Sequence, residues 1–344
     1  MSKTISEQLK YHYDEELFNN AWTSEKDPTS LALLNSGAMV EDKLIADLIS
    51  TGSNYYTLPF YVDIEGDEVN YDGKTDIPTD ATEDGTQSGV VYGRAKGWEA
   101  TTFIKDFTSA DPMRNILNRI EKWKSKKVQK RLISILDAIL SVQGTGKFAD
   151  WENHKMNICV ATETTPTEAN KIALTTLRDL AVQANGDGAD DYSLAIMHSV
   201  VANRLSQFQV LEYFKYNYAN GMEADVKVGR SGNMIVLVCD EVPHAKNQTT
   251  KQMEYTTYVL GAGALGYAPA PVEVPSEIER DASKNGGVDK LFTRYRETIH
   301  PYGFTFSMSN LPISPTDAQL ADKANWKVVY NPKNIYIASL KTNG

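Results

Sequence analysis

The glycine run at positions 261–266 is the part of the sequence that most closely matches a known chemical motif. It reads Gly261-Ala-Gly-Ala-Leu-Gly266, the GxGxxG pattern in which glycines let the backbone approach the pyrophosphate of a dinucleotide. Such a site also requires the turn to begin a helix, because the helix N-terminus binds the phosphates. Here Tyr267-Ala-Pro-Ala-Pro271 follows, and its prolines are incompatible with a long helix. We therefore predict a tight turn in a packed core and keep a nucleotide-binding enzyme as an alternative.

Side chains that could bind a metal ion are present, but their spacing matches no metal-binding motif. Asp72, Asp76, Asp80 and Asp84 do not follow the EF-hand pattern, so we expect a solvated acidic segment. The run from Cys239 to His244 contains ligand types but a single thiol. Neither HxxxH nor HExxH spacing occurs among the histidines His12, His154, His198, His244 and His300. The sequence thus predicts no catalytic residues, no metal site and no cofactor.

The composition is that of an ordinary globular protein with an excess of acidic residues. The chain has 344 residues, of which 41% are hydrophobic, and its formal net charge is −10. A protein that reads nucleic-acid sequence usually has a basic face, so this charge disfavours that class. No stretch approaches the ~20 apolar residues of a membrane span, and residues 1–10 lack a signal-peptide pattern. Cys159 and Cys239 are predicted to be reduced, buried thiols.

The N-terminal third is strongly acidic and is predicted to contain elements that extend from the body. Residues 1–50 have helix-like apolar spacing, with a second helical run over Leu31–Ile49. Tyr55–Ile64 and Val90–Ile104 are rich in aromatic and β-branched residues, so each predicts one extended strand. The segment between them, Glu65–Gly89, is acidic and has almost nothing to bury. We predict a long ribbon that projects from the body and ends in an acidic tip.

A very long helix is predicted next. Asp111 can cap it, and Pro112 suits its first position. Apolar residues then keep a three-and-four spacing to about Val142, just before Gly144, which corresponds to about 45 Å of helix. The exposed face is predicted to be basic and to contain Lys122, Lys124, Lys126, Lys127, Lys130 and Arg131. This face is either simply solvated or covered by neighbouring acidic segments.

Strands and helices alternate in the second half, which predicts a compact α/β unit. A helix is expected over Pro166–Gln183, and His198 is expected to be a core histidine after a buried strand. The extended stretch Leu291–Ser307 is interrupted at His300-Pro-Tyr-Gly303. The other predicted elements are the strands Leu194–His198, Met234–Cys239, Tyr255–Leu260 and Asn334–Leu340, the helix Ser199–Phe208 and a helix start at Ser314–Asp317.

The order of these elements resembles the Hong Kong 97-type fold of tailed-bacteriophage major capsid proteins. That fold has an N-terminal arm, an extended loop, a spine helix, a peripheral domain and an axial domain. Short runs similar to this family occur in order along nearly the whole chain: Leu58-Pro-Phe-Tyr-Val-Asp-Ile-Glu-Gly-Asp67, Arg94-Ala-Lys-Gly-Trp98, Asp111-Pro-Met113, Ile196-Met-His-Ser199, Tyr255–Gly266, Glu279-Arg-Asp281, His300-Pro-Tyr-Gly303, Ser314-Pro-Thr316, Asn325-Trp326 and Lys333-Asn-Ile335. The segments Asp72–Gly89 and Val210–Met234 match no such run.

The resemblance implies an α+β, Hong Kong 97-like capsid fold with five parts. The implied arm covers residues 1–50, and the extended β-hairpin loop covers residues 51–107. The peripheral domain is implied over 108–160 and 272–310, and its spine helix over 111–142. The axial domain is implied over 161–271 and 311–344.

The same resemblance implies a structural subunit and no enzyme. Copies of the chain are expected to form the pentamers and hexamers of an icosahedral phage head in the virion, assembled in the host bacterial cytoplasm. Portal and scaffolding proteins are expected as partners, and double-stranded DNA is expected to be enclosed without sequence-specific binding; no membrane partner is expected. The alternatives are an encapsulin-type nanocompartment shell, a nucleotide-binding enzyme that uses Gly261–Gly266, and a phage decoration or tail-tube protein.

Overall fold

The computed structural model describes residues 37–50, 52–62, 68–72, 84–101, 112–208, 212–217 and 223–344, with the single positions 74, 76, 79 and 103. The helices predicted before residue 37 lie outside this part of the chain. The described α-helices are α1 (Lys43–Ser50), α2 (Pro112–Leu140), α3 (Thr176–Asn185), α4 (Ser199–Gln207) and α5 (Asp317–Leu320).

The described strands form two large sheets and two small ones. In chain order the strands are β1 (Met39–Glu41), β2 (Tyr55–Tyr61), β3 (Asp84–Val90), β4 (Tyr92–Thr101), β5 (Lys155–Asn157), β6 (Tyr192–Met197), β7 (Glu212–Asn217), β8 (Glu223–Ser231), β9 (Met234–Val238), β10 (His244–Lys246), β11 (Met253–Gly261), β12 (Leu265–Ala270), β13 (Ser276–Asp281), β14 (Val288–Pro301), β15 (Phe304–Phe306), β16 (Trp326–Val328) and β17 (Ile337–Thr342). The eight-stranded sheet has the order β5-β17-β11-β6-β9-β8-β7, with β10 on β11. The five-stranded sheet has the order β1-β12-β14-β13, with β4 also on β14, while β2-β3 and β15-β16 are separate pairs.

Helix α2 connects the two large sheets. It begins and ends within two residues of the predicted limits, 111 and 142. In its C-terminal half Leu132, Ile135, Leu136 and Ile139 are fully buried, as their three-and-four spacing predicts. The apolar cluster around them includes Leu194, Ile196, Tyr258 and Leu260 from the eight-stranded sheet and Leu265 and Ile299 from the five-stranded sheet. The C-terminal half of this helix therefore packs in a core that both large sheets share.

The strand predicted over Val90–Ile104 is observed as the single strand β4, whereas β3, which precedes it, lies mostly in the segment Glu65–Gly89 that was predicted to be an acidic tip. The prediction that Glu65–Gly89 has almost nothing to bury is wrong for its last residues, since Gln87 and Ser88 of β3 are buried. The chain bends between β3 and β4 at Val91, whose side chain is buried and whose N–H donates to Asn54 O at 2.9 Å. Before the bend β3 pairs with β2, and after it β4 pairs with β14 from Tyr92↔Glu297 to Thr101↔Val288. The bend lets one chain segment belong to two different sheets.

Two predicted helices begin later than expected, because a 3₁₀ turn precedes one of them and a β-strand precedes the other. The helix expected from Pro166 begins at Thr176; a single 3₁₀ turn comes first, and Lys171 ends it in an extended conformation. Within the run predicted as helical over Leu31–Ile49, Met39–Glu41 is a strand that pairs in parallel with β12. Helix α1 starts only after Asp42, whose carboxylate accepts from Leu44 N at 2.8 Å.

The glycine turn and the strands predicted over Leu194–His198, Met234–Cys239 and Tyr255–Leu260 are confirmed, whereas the strand predicted from Asn334 begins at Ile337, because Pro332–Asn334 form a 3₁₀ turn. Strand β11 ends at Gly261, Gly263 has a φ of +68°, and β12 begins at Leu265, so a strand follows the turn where a dinucleotide site would need a helix. A Cβ at Gly261 would lie 2.4 Å from the Cβ of Tyr336, so the first glycine allows a close chain contact.

We expect Gly303→Ala to destabilise the protein by about 2–4 kcal/mol. Gly303 turns the chain between β14 and β15 with a φ of +89°, and an added Cβ would lie 2.7 Å from Ile335 Cγ1. Gly263→Ala is the matched control, because its φ is also positive but no atom lies within 4 Å of the added Cβ. It should cost only about 1 kcal/mol in urea unfolding. Equal losses in the two variants would contradict the steric argument.

Candidate functional site

The hairpin of β2 and β3 is the first element that could contact another molecule. The two strands pair antiparallel from Tyr55↔Val90 to Tyr61↔Asp84, so the predicted strand over Tyr55–Ile64 is confirmed, but its partner lies within the predicted acidic segment and not over Val90–Ile104. Tyr56 and Leu58 point inward and are buried, whereas Tyr61, at the far end, is 81% exposed.

The base of this hairpin packs against the body of the protein. Gln87 Nε2 donates to the Tyr330 hydroxyl at 2.9 Å, and Ser88 N donates to Thr305 Oγ1 at 3.0 Å. The Phe60 ring meets the Tyr330 ring edge-on, with centroids 4.3 Å apart. The prediction of a long ribbon that projects from the body is therefore corrected for β2 and β3, because contacts as far along the hairpin as Phe60 hold it on β15 and Tyr330.

The tip of the hairpin, defined as residues 61–84, combines exposed apolar and acidic side chains where it is described. Its exposed apolar side chains are Tyr61, Val62, Val69 and Tyr71. Its exposed acidic side chains include Glu68, Asp72, Asp76 and Asp84, whereas Asp80 lies outside the described residues. Large exposed apolar groups in a polar surround are typical of a surface that contacts another macromolecule.

The middle of α2, from Lys122 to Lys130, presents the opposite charge. Lys126, Lys127 and Lys130 are exposed, as predicted, while Lys122 and Lys124 are half-buried. Lys124 Nζ lies 4.9 Å from the centroid of the Tyr295 ring on β14. On the side that faces the five-stranded sheet, Trp123 meets Trp98 of β4 edge-on, with centroids 5.3 Å apart. One face of the helix is thus bound to β4 and β14, and the other is a row of lysines, which we call the lysine face.

Arg131 is not part of the lysine face, which corrects the prediction. Its side chain is only 3% exposed, and its guanidinium donates from Nη1 to Glu297 Oε1 and from Nε to Asp317 Oδ1, both at 2.9 Å. The position could have been assigned from the sequence, since Arg131 is three residues after Val128 and four before Ile135, on the buried stripe. An arginine on that stripe requires buried acidic partners, and their identity was not predictable from local sequence.

The Arg131 network joins five elements: α2, β4, β12, β14 and α5. Arg94 of β4 also binds Asp317 Oδ1, at 2.6 Å, and Tyr267 of β12 donates to Glu297 Oε2 at 3.1 Å. The Arg131 guanidinium lies 4.5 Å from the centroid of the Tyr92 ring. Burial raises the pKa of Glu297 in spite of Arg131. The network fixes the strand that leaves the hairpin against α2, β14 and the start of α5.

Two of the histidines that are described lie together: the rings of His198 and His244 meet edge-on with centroids 4.6 Å apart, and His198 Nε2 lies 3.9 Å from Asp240 Oδ1. His198 caps α4, since its Nδ1 accepts from Val200 N at 3.2 Å, and it is mostly buried as predicted. Cys239 is buried as predicted, but Cys159 is only half-buried, and its partial burial raises its pKa to about 11. His154 and His300 are buried, and His12 lies outside the described residues. Within the described ranges, no group of three or more His, Cys, Asp or Glu side chains is placed to hold a metal ion.

The described helices also include none that is long and apolar enough to cross a membrane.

Comparison with solved structures identifies the class of protein. The chain is similar to the capsid of cyanophage Pam1, with a TM-score of 0.55 and 9% identity over 100% of this chain and 98% of that chain. It is also similar to the capsid of Ralstonia phage GP4, with a TM-score of 0.53 and 10% identity over 89% of this chain and 86% of that chain. At this identity the likeness concerns the fold alone, which is an α+β phage capsid fold.

Sequence comparison then identifies the family. The model of the Gp13-like family, described as major capsid protein 13-like, matches residues 149–335, which are more than half of the chain. The major capsid protein of Bacillus phage SPP1 is 26% identical over 328 residues, covering 95% of each chain. The chain belongs to the Gp13-like family of major capsid proteins.

Family membership confirms the resemblance and the predicted function, that of a major capsid protein of a tailed phage. This family is a structural family and not an enzyme family, and a capsid protein is a component of the virion. The nanocompartment shell and the nucleotide-binding enzyme are not favoured.

Proposed function

We propose that copies of this chain assemble into pentamers and hexamers of an icosahedral head that encloses double-stranded DNA. The observation that carries the proposal is membership of a major capsid protein family together with a hairpin whose described tip residues Tyr61 and Tyr71 are largely exposed. A net charge of −10 fits a shell that surrounds DNA without binding its sequence. Assembly takes place in the host bacterial cytoplasm, with portal and scaffolding proteins as further partners.

The proposed architecture has an N-terminal arm over residues 1–50, an extended loop over 51–107, and two domains defined by the two large sheets. The five-stranded sheet and α2 form the peripheral domain, and the eight-stranded sheet forms the axial domain. Strand β12 pairs with β14, so we place it in the peripheral domain and set this boundary in the turn after Gly261 rather than at residue 271. Strand β16 pairs with β15 and is assigned to the peripheral domain for the same reason.

The proposed contact between neighbouring copies places the hairpin tip of one subunit on the lysine face of the next. The tip is acidic and the lysine face is basic, so the two surfaces are complementary in charge. A contact between two different surfaces of the same chain is heterologous and generates a ring when the rotation closes. Repetition around a ring lets individually weak contacts add up.

Electron microscopy of the purified chain, with sedimentation of the same sample, tests the proposed function. We expect polyhedral shells or uniform five- and six-fold rings. If the chain is monomeric alone, the same protein is sought in particles from phage-infected cells, since a scaffold can be required. Absence from those particles as well would contradict the proposal.

We expect the double variant Lys126→Glu/Lys127→Glu to prevent shell assembly while leaving the unfolding midpoint within error of the unmodified chain. The two lysines are exposed, so their reversal should cost little folding stability. Adding Glu68→Lys and Asp76→Lys should restore assembly, because the charges are then exchanged rather than lost. The measurement is the fraction of protein in shells by sedimentation. Lys246→Glu, on the eight-stranded sheet, is the control that should assemble normally; failure of the exchange to restore shells would refute this contact.

A further inference from the structure

His300 is a fully buried histidine whose two ring nitrogens both lack a hydrogen-bond partner among the described residues. It lies on β14 opposite Gly266 of β12. Aromatic rings surround it: the Tyr56 ring centroid is 5.7 Å away and the Tyr302 ring centroid 5.4 Å away. A buried polar group without a partner costs free energy, so its position calls for an explanation.

The histidine lies where α1 and the hairpin meet the five-stranded sheet. Ile45 and Ile49 of α1 and Tyr56 and Leu58 of β2 form one buried apolar cluster on this sheet. The packing there is close, since a Cβ on Gly266 would be 3.1 Å from Ile45 Cδ1. There is little room for water or for a shift of the ring while this joint is closed.

The charged and titratable groups around His300 leave an imidazolium without a free counterion. From α1 the facing group is Asp42, whose Oδ1 accepts from Leu44 N at 2.8 Å and whose Oδ2 accepts from the Tyr302 hydroxyl. The group from the hairpin that faces His300 is Tyr56, whose hydroxyl shares a hydrogen bond of 2.9 Å with Thr298 Oγ1. The paired strand β12 presents Gly266, which has no side chain.

We propose that His300 makes the joint between α1, the hairpin base and the five-stranded sheet sensitive to protons. A protonated ring must either take the Asp42 carboxylate from the cap of α1 or become hydrated. Either change separates α1 and β2 from the sheet. This property belongs to the single chain and does not depend on the proposed function. Only its consequence, that hairpin contacts between subunits weaken in acid, rests on that function.

The direction of the pH dependence follows from the two protonation states. Burial lowers the pKa of His300 from 6.5 to about 4, with Asp42 opposing the shift. The open joint therefore binds the proton more tightly than the closed one. The stability of the closed joint is complete above about pH 6.5 and is lost as the pH falls towards 4. Between pH 7 and pH 5 the opening equilibrium should increase about 20-fold.

Hydrogen exchange measured by mass spectrometry on the full, unassembled chain tests this inference. After correction for the intrinsic pH dependence of exchange, peptides that cover α1 and β2 should show the increase in opening at pH 5. His300→Phe should remove most of it, because the ring is kept and the proton site is lost. His154→Phe is the matched control: His154 is also buried with a pKa lowered to about 4 by burial, but it lies beside Trp151 and β17, so the response at α1 should persist.

Three outcomes would overturn the proposal: no increase in the unmodified chain, a full response in His300→Phe, or loss of the response in His154→Phe. If His300→Phe does not fold, His300→Gln replaces it, since the ratio between pH 5 and pH 7 does not depend on the absolute stability of a variant. The unmodified chain offers a further check, because the logarithm of the opening constant should rise almost linearly as the pH falls below 6 and be flat above 7.

Discussion

Arg131→Ala should destabilise the protein by about 3–5 kcal/mol, one of the two largest effects that we expect from a change in this chain. The substitution leaves the Glu297 carboxylate 1% exposed and without its cation. Removing one member of a buried ion pair costs far more than the pair contributes, because the remaining charge stays desolvated. It also removes one of the two arginines that hold Asp317 and the ring contact with Tyr92. The measurement is urea unfolding at neutral pH.

Two further variants separate the buried charge from the loss of side-chain volume. Arg131→Met/Glu297→Leu removes both charges and keeps most of the volume, so it should recover to within about 1–2 kcal/mol of the unmodified chain. Arg178→Ala breaks the exposed pair with Asp190 and should leave the unfolding midpoint unchanged. If the double variant is as unstable as Arg131→Ala, the destabilisation comes from loss of the network geometry and not from the unpaired charge of Glu297.

Replacing residues 62–83 with Asn-Gly should abolish shell assembly without lowering the unfolding midpoint. Tyr61 and Asp84 are directly paired, so the strands end side by side and a two-residue turn can join them. The replacement removes the exposed apolar groups Val62, Val69 and Tyr71 together with the acidic side chains between them. Circular dichroism and thermal unfolding report on the body, and electron microscopy reports on shells.

A longer deletion serves as the contrasting control. Removing residues 65–89 deletes most of β3, including Gln87 and Ser88, which are buried against Tyr330 and Thr305. That variant should lose folding stability as well as assembly. Normal shells from the Asn-Gly variant would show that the tip is dispensable, and the proposed contact would be wrong.

Local sequence was enough to determine the elements that depend on apolar spacing or on proline positions within a few residues. The regular apolar spacing predicted α2 to within two residues at each end, because one helix face repeats every three or four positions. Pro269 and Pro271 predicted that no helix follows the glycine turn, since proline excludes it wherever the turn lies in the fold. The order of the elements was sufficient to predict the family.

Tertiary structure alone decided which parts of the chain meet. The apolar spacing around Arg131 could have placed it on the buried stripe, but its partners Glu297 and Asp317 lie more than 150 positions away along the chain. The bend at Val91 depends on Asn54 and on the edge of β14, and no local pattern contains either. The buried His300 likewise owes its surroundings to Tyr56 and Asp42, which α1 and the hairpin bring over the sheet. Periodicity and capping act over a few residues, but the burial of a charge depends on distant partners, and only the folded chain brings these together.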